Sequence, residues 1–165
     1  MTSGEPNGRN WTLRSFRSAD TAGCGACYFD AVRNGTSGHY DAAQAAAWAP
    51  DDDPSEWAAR LSEGTTWIAA DGAIVAGFLT LRDDGHLDLF FVRPAYRKVG
   101  VSDGLYAACL DHARSLGMER LTTHASLLAK SFLTRRGWVC LQEERSLRNG
   151  QSLSRYRMAL KSIAP

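Results

Sequence analysis

A chain of 165 residues with 44% apolar and 22% charged side chains fits one globular domain that builds its core without staples. Its 19 basic and 18 acidic residues leave a formal net charge of +1, so it carries no electrostatic footprint for a nucleic acid or an anionic membrane. No apolar run approaches bilayer length, and residues 1–10 lack the apolar stretch of a secretory signal. These features predict a disordered leader over 1–10, one domain over 11–165 and a reducing cytoplasmic setting.

In chain order, Trp11 to Arg17 alternates apolar and polar residues as a half-buried strand does. Ser18-Ala-Asp20 offers capping oxygens for a helix that runs to Asn34, where Asn34-Gly35 stops it. Asp41 to Trp48 reads as a short Ala-rich helix broken by Pro50. Asp51 to Ser55 caps another, Glu56 to Leu61. Strands at Thr65–Ala70 and Ala73–Leu81 flank Asp71-Gly72, a two-residue hairpin signal. After the turn at Asp83-Asp84-Gly85, His86 to Val92 is nearly continuous in apolar character and predicts a central strand. An amphipathic helix spans Gly100 to Leu116, with Val101, Leu105, Ala108, Cys109 and Leu116 as its apolar stripe. A strand at Arg120–His124, a helix at Ser126–Arg136 and strands at Trp138–Glu143 and Leu153–Leu160 complete the chain. The order predicts an α+β fold with a mixed, mostly antiparallel twisted sheet and helices on both faces.

Of the four cysteines, Cys109 and Cys140 fall inside apolar patterns and read as small core residues. Cys24-Gly-Ala-Cys27 matches C-x-x-C. It has no second ligand pair at similar spacing and follows a polar turn rather than a strand. It reads as two small helical residues one turn apart, and no metal is expected.

The chemistry-bearing stretch is Leu87 to Ser102. A buried strand ends at Val92, Pro94 breaks it, and a tight loop holding Gly100 opens straight into a helix. The free N–H groups and the macrodipole of that helix end make an anion site fit for a pyrophosphate. Arg93, Arg97 and Lys98 add positive charge beside it, and Gly100 lets backbone approach an oxygen closely.

Val92-Arg-Pro94 followed by Arg97-Lys-Val-Gly100-Val-Ser102 resembles the acetyl-CoA loop of the GNAT superfamily of N-acetyltransferases, Arg/Gln-x-x-Gly-x-Gly/Ala. Ser126 to Phe132 and Arg135-Arg-Gly137-Trp138 look like that family's second helix, with Ala129 and the closing Gly-aromatic in place. Tyr40 through Trp48-Ala49-Pro50 is similar to bacterial members. The resemblance covers about residues 11 to 160 and implies the GNAT-like acyl-CoA N-acyltransferase fold. It implies transfer of an acetyl group from acetyl-CoA to a primary amine of a small molecule or protein. Phe91, Val92, Arg97, Lys98, Val99, Gly100, Val101, Ser102 and Ser126 would contact acetyl-CoA, and the Val92 N–H would receive the oxyanion. Ser102 departs from the family's Gly or Ala, and Leu133 stands where many members place a tyrosine that protonates the leaving thiolate.

For the base, alternation predicts His86, Asp88, Phe90 and Val92 on one strand face. Asp88 has two open readings, a base or a carboxylate that satisfies a neighbouring backbone or Arg group. His86 reads first as a solvated strand start. His124 ends the next strand, where it reads as a base or as an ordinary polar strand end. Tyr156 is a candidate acid whose default role is packing. Tyr40, Trp48 and Trp57 are candidates to line the acceptor pocket, with core packing favoured for Trp57. The expected partners are acetyl-CoA and an amine, with room for a homodimer. The missing tyrosine motivates a second reading, an acyl-CoA-binding sensor with weak catalysis. A plain nucleotide binder is disfavoured, because neither G-x-x-x-x-G-K-[ST] nor G-x-G-x-x-G occurs.

Overall fold

The computed structural model describes Ser3–Gly4, residues 9–51 and residues 57–163. Its sheet comprises β1 (Ser3–Gly4), β2 (Trp11–Ser15), β3 (Gly64–Asp71), β4 (Ile74–Arg82), β5 (His86–Val92), β6 (Leu121–Ala125), β7 (Val139–Arg148) and β8 (Gln151–Leu160). They lie in the order β1-β2-β3-β4-β5-β6-β8-β7. Every pairing is antiparallel except β5 with β6, which the crossover helix makes parallel. The helices are α1 (Thr21–Gly35), α2 (Ala42–Trp48), α3 (Trp57–Leu61), α4 (Val101–Ser115) and α5 (Leu127–Thr134). The α+β fold with its mixed, mostly antiparallel sheet is as the sequence predicts. Within the expected leader, Ser3–Gly4 pair with Thr12 and Trp11, while residues 1–2 and 5–8 lie outside the described residues. The expected Asp51–Ser55 cap falls mostly on residues 52–56, also outside them.

Two apolar layers sandwich the sheet. One holds Trp11, Leu79, Val101, Leu105, Cys109 and Met158, against α4 and α5. The other holds Cys24, Tyr28, Val32, Trp57, Ile68 and Phe78, against α1, α2 and α3. In β4 every residue from Val75 to Leu81 is buried, as a strand covered on both faces requires.

Several local expectations change. Asp71 pairs with Ile74, so the hairpin loop is Gly72-Ala73, one residue later than predicted. Asp20 does not cap α1. Its carboxylate takes two bonds from the Arg14 guanidinium, each 2.7 Å, and one from the Arg17 N–H, 2.8 Å. The buried stripe of α4 runs through Tyr106 and Ala113, while Leu116 is exposed at the frayed end. Cys140 is exposed, because β7 is the sheet's outer strand and reaches beyond the helices. Cys24 and Cys27 are free, buried helical residues of α1. Burial pushes both thiols up, Cys27 to about 12, so neither is a thiolate near neutrality.

The final strands are longer than periodicity suggests. β7 and β8 form a ten-residue-a-side hairpin turned by Asn149-Gly150, both at positive φ. That dipeptide is itself a strong hairpin signal, which the reading by alternation passed over. The hairpin tip is clamped to α2 and the segment before it. Asn149 Nδ2 donates to Ala47 O (2.7 Å), Gln44 Nε2 to Ser152 O (3.1 Å) and Tyr40 Oη to Ser154 O (3.0 Å).

Candidate active site

The site begins with a defect in strand pairing. Thr80 faces Leu89 and Leu81 faces Leu87, so Asp88 is an extra, unopposed residue on β5. This bulge breaks the expected common face. His86, Asp88, Leu89 and Phe91 all line a cavity on the α1 to α3 side, while Phe90 and Val92 pack in the opposite layer. The predicted alignment of His86, Asp88, Phe90 and Val92 is therefore incorrect, because alternation was counted straight through an insertion.

Beyond the bulge, β5 and β6 part. They pair only at His86 with Thr122 and Leu87 with Thr123. Arg93 N–H donates to Ala76 O on β4, and the register between β4 and β5 is unbroken from Leu89 to Val92. Strand alternation then turns the N–H groups of Phe90 and Val92 away from β4, into the gap that β6 leaves. The sequence suggested the Val92 donor, and Phe90 joins it.

A cavity of about 570 Å³ opens from this gap. Phe91, Val92, Arg97, Lys98, Gly100, Ser102 and Ser126 line it, as the sequence suggested for the cofactor. Val99 and Val101 do not, because both side chains turn into the core and leave only backbone to offer. Gly100 is the N-cap of α4 at φ +87, and Lys98 is also left-handed at φ +62. That twisted backbone aims the first N–H groups of α4 at the cavity. A Cβ on Gly100 would meet the Trp11 ring at 3.6 Å, an ordinary contact, and its left-handed φ is the conformation that glycine adopts without strain.

The expected cluster of cations divides by role. Arg97 Nη1 donates to Gly35 O at 2.5 Å and Nη2 to Ala31 O at 3.4 Å, closing the C-terminal end of α1. Arg93 is held by Val75 O and Asp30. Lys98 lines the cavity with no hydrogen-bond or ion-pair partner among the described residues. Arg135 and Arg136 also line it, a pair the sequence carries just before Gly137 and to which no role was given. Arg136 stacks on Phe132 at 3.4 Å and pairs with Asp103, masking the one carboxylate in the first turn of α4. Ser126 Oγ accepts from Ala129 N–H and caps α5.

A second cavity of about 200 Å³ shares Trp48, Phe91 and Ser126 with the first. Tyr28, Tyr40, Trp57, Arg60, His86, Asp88 and His124 line it, joined by Arg148 and Arg155 from the β7–β8 hairpin. Asp88 meets Arg60 at 3.2 Å, so its bond to an Arg group is real while its carboxylate still borders the cavity. His86 Nδ1 lies 2.9 Å from Thr122 Oγ1, and its ring centroid is 5.2 Å from that of His124. Burial, then the neighbouring His124, lowers the His86 pKa below the ordinary histidine value, so this imidazole is neutral near pH 7. Tyr40, Trp48 and Trp57, the residues expected to line an acceptor pocket, all border this cavity, and Trp57 is also a core residue.

Tyr156, a candidate acid, and Leu133, which stands at the family's tyrosine position, both lie outside the cavity walls. Tyr156 is buried under the Lys130 ammonium, 4.1 Å from its ring, and lines neither cavity. Packing is its role, because its strand position turns it into the α5 layer. Leu133 is 1% exposed in that layer, while Ala129, Ser131 and Phe132 of the same helix meet the cavity. No group of three His, Cys, Asp or Glu side chains among the described residues is arranged to hold a metal ion. No helix among them is long and apolar enough to cross a membrane.

Residues 36–160 match the family model described as an acetyltransferase (GNAT) domain. The chain is 30% identical over 136 residues to the uncharacterized N-acetyltransferase YafP of Escherichia coli (strain K12), covering 82% of this chain and 86% of that one. A solved GCN5-related N-acetyltransferase from Rhodopseudomonas palustris, also labelled "Aminotransferase, Class-II", is 32% identical. It superposes with a TM-score of 0.84 over 98% of both chains. A putative acetyltransferase, yncA from Salmonella typhimurium, solved with its cofactor acetyl-CoA, has the same fold at 18% identity. Its TM-score is 0.63, covering 94% of this chain and 95% of that one.

Proposed function

The chain belongs to the GNAT acetyltransferase family and is an acetyl-CoA-dependent acetyltransferase, and from that premise we propose that it acetylates a primary amine of a small molecule or protein. In this reading acetyl-CoA occupies the larger cavity and the amine the smaller. The observation that carries it is the gap between β5 and β6, from which the Phe90 and Val92 N–H groups face the larger cavity.

The N-terminal N–H groups of α4, with Lys98 and Ser102, bind the pyrophosphate. Arg136 keeps Asp103 from repelling it. Phe90 and Val92 donate to the thioester carbonyl as negative charge builds there, from backbone that needs no reorganisation. Neutral His86 is the proton acceptor best prepared for the ammonium of the acceptor, with Asp88 and His124 beside it. A strand rises about 3.3 Å per residue and the bulge at Asp88 takes one residue out of that rise, which sets His86 about 17 Å and Asp88 about 13 Å from Val92. The proton therefore travels through water along the smaller cavity rather than in one direct transfer.

A second reading, an acyl-CoA binder with weak catalysis, draws support from the larger cavity, which no tyrosine among the described residues lines. Thiol release from acetyl-CoA across a panel of amines separates the two. Amine-dependent release supports the transferase, and tight acetyl-CoA binding without release for any amine supports the binder.

A further inference from the structure

We propose that the smaller cavity selects an amine that also carries an anionic group, a carboxylate or a phosphate. This rests on that cavity being the acceptor site.

Among the described residues three guanidiniums line it, Arg60, Arg148 and Arg155, against one carboxylate, Asp88. Arg60 is paired with Asp88 at 3.2 Å, and Arg155 with Glu144 at 3.0 Å. Arg148 has no ion pair among the described residues, and its charge acts on the Tyr28 hydroxyl within the cavity. Asp51 also acts on Tyr28, more weakly than Arg148 or Arg60. His86 is held neutral and adds no charge. Among the described residues the cavity is therefore short of negative charge at its hairpin side, the opposite of a pocket built for a polyamine.

The cationic wall is preformed. Arg148 adjoins the Asn149-Gly150 turn, and the hairpin tip is fixed through Asn149, Ser152 and Ser154. Trp48, Trp57 and Phe91 supply an aromatic floor between that wall and the junction with the larger cavity. An anionic group seated on Arg148 leaves the amine of the same molecule directed along the aromatic floor. Excess guanidinium charge also disfavours the ammonium form of that amine, and the neutral form is the nucleophile.

Matched pairs test the inference: phenylalanine against phenylalaninamide for carboxylate, and O-phosphoethanolamine against ethanolamine for phosphate. In thiol-release assays at fixed acetyl-CoA, kcat/KM is expected to be at least tenfold higher for the anionic member of one pair. The preferred pair names the anion. Arg148→Gln should bring that ratio near one through KM. Leu147→Ser, at an exposed neighbour on the same hairpin, should leave the ratio intact. Equal or reversed preference, or a preference that survives Arg148→Gln, overturns the proposal. Calorimetric titration of the same four compounds into the CoA-saturated protein reads binding without turnover. If no amine is acetylated but an anionic compound binds and Arg148→Gln abolishes it, the transferase reading fails and the anion site stands. If neither anionic compound binds more tightly than its neutral partner, the anion site fails.

Discussion

The indole Nε1–H of Trp11 donates to the carbonyl of Val99 at 3.1 Å, joining the first residue of β2 to the phosphate loop 88 positions away. The same ring packs over the start of α4, where a Cβ at Gly104 would come within 2.8 Å of it. A buried donor is satisfied, and an exposed loop is tied to the core. This loop is therefore held in its twisted shape before any ligand arrives. Trp11→Phe removes the donor together with the outer ring atoms that reach Gly100 and Gly104. It should cost about 1–3 kcal/mol for the lost pairing of Val99 and weaken acetyl-CoA binding, read by denaturation and by calorimetry.

Acetyl-CoA should raise the melting temperature. At about a hundred times its dissociation constant a ligand adds about 2.7 kcal/mol to folding. Differential scanning fluorimetry with acetyl-CoA checks this, and an unchanged melting temperature at saturating ligand would contradict the placement in the larger cavity.

Lys98 and Arg97 should separate cleanly. Lys98→Ala removes a cation that faces the cavity and should raise the dissociation constant for CoA by up to about fivefold while leaving stability unchanged. Arg97→Ala strips the carbonyls of Ala31 and Gly35 of their charged donor and should destabilise the fold by about 1.5–3 kcal/mol. Equal stabilities for the two variants would show that Arg97 does not hold α1.

The rate should fall on the acid side as His86 takes up a proton, with a midpoint below the usual histidine value. His86→Gln should lower kcat by about tenfold or more and remove that limb, while Asp88→Asn frees Arg60 and keeps the limb but moves it to lower pH, because the Asp88 charge holds the His86 pKa up. The same shift carries a stability consequence. The folded-state pKa is depressed, so the unfolded chain binds the proton more readily. The His86 contribution is whole above the unfolded value of about 6.5 and declines as pH falls from there through the folded value. Full kcat–pH profiles of both variants decide between the two residues.

Leu133→Tyr should not gain activity. The side chain is packed rather than facing the cavity, and a larger ring with a hydroxyl overfills that layer at a cost of about 1–3 kcal/mol. A rise in kcat with unchanged melting temperature would show that the ring reaches the thiolate.

The architecture was legible because periodicity, turn dipeptides and the loop before α4 each carry a local physical signature. Residues 92–102 announced an anion site from glycine, cations and an opening helix, and the cavity lies there. Three things were hidden. The bulge at Asp88 leaves no mark in a run of apolar residues, so the face of every side chain before it was miscounted. The occupation of Arg97 by α1 depends on a contact across 62 positions that spacing does not reveal. The cationic wall comes from Arg148 and Arg155, which alternation treats as ordinary solvent-facing positions in a hairpin whose length it underestimated.

The single unopposed residue at Asp88 also limits how this strand can be exchanged between relatives. A chimera that replaces β5 with a segment one residue shorter would keep the hydrogen-bond ladder of β4 and the faces of His86, Phe90 and Val92, yet lose the extra position that sets Asp88 beside Arg60 in the smaller cavity. Residue count between the turn at Gly85 and the loop at Arg93 is thus as much a determinant of the chemistry as residue identity. A transplanted strand should be matched first for its bulge and only then for its side chains.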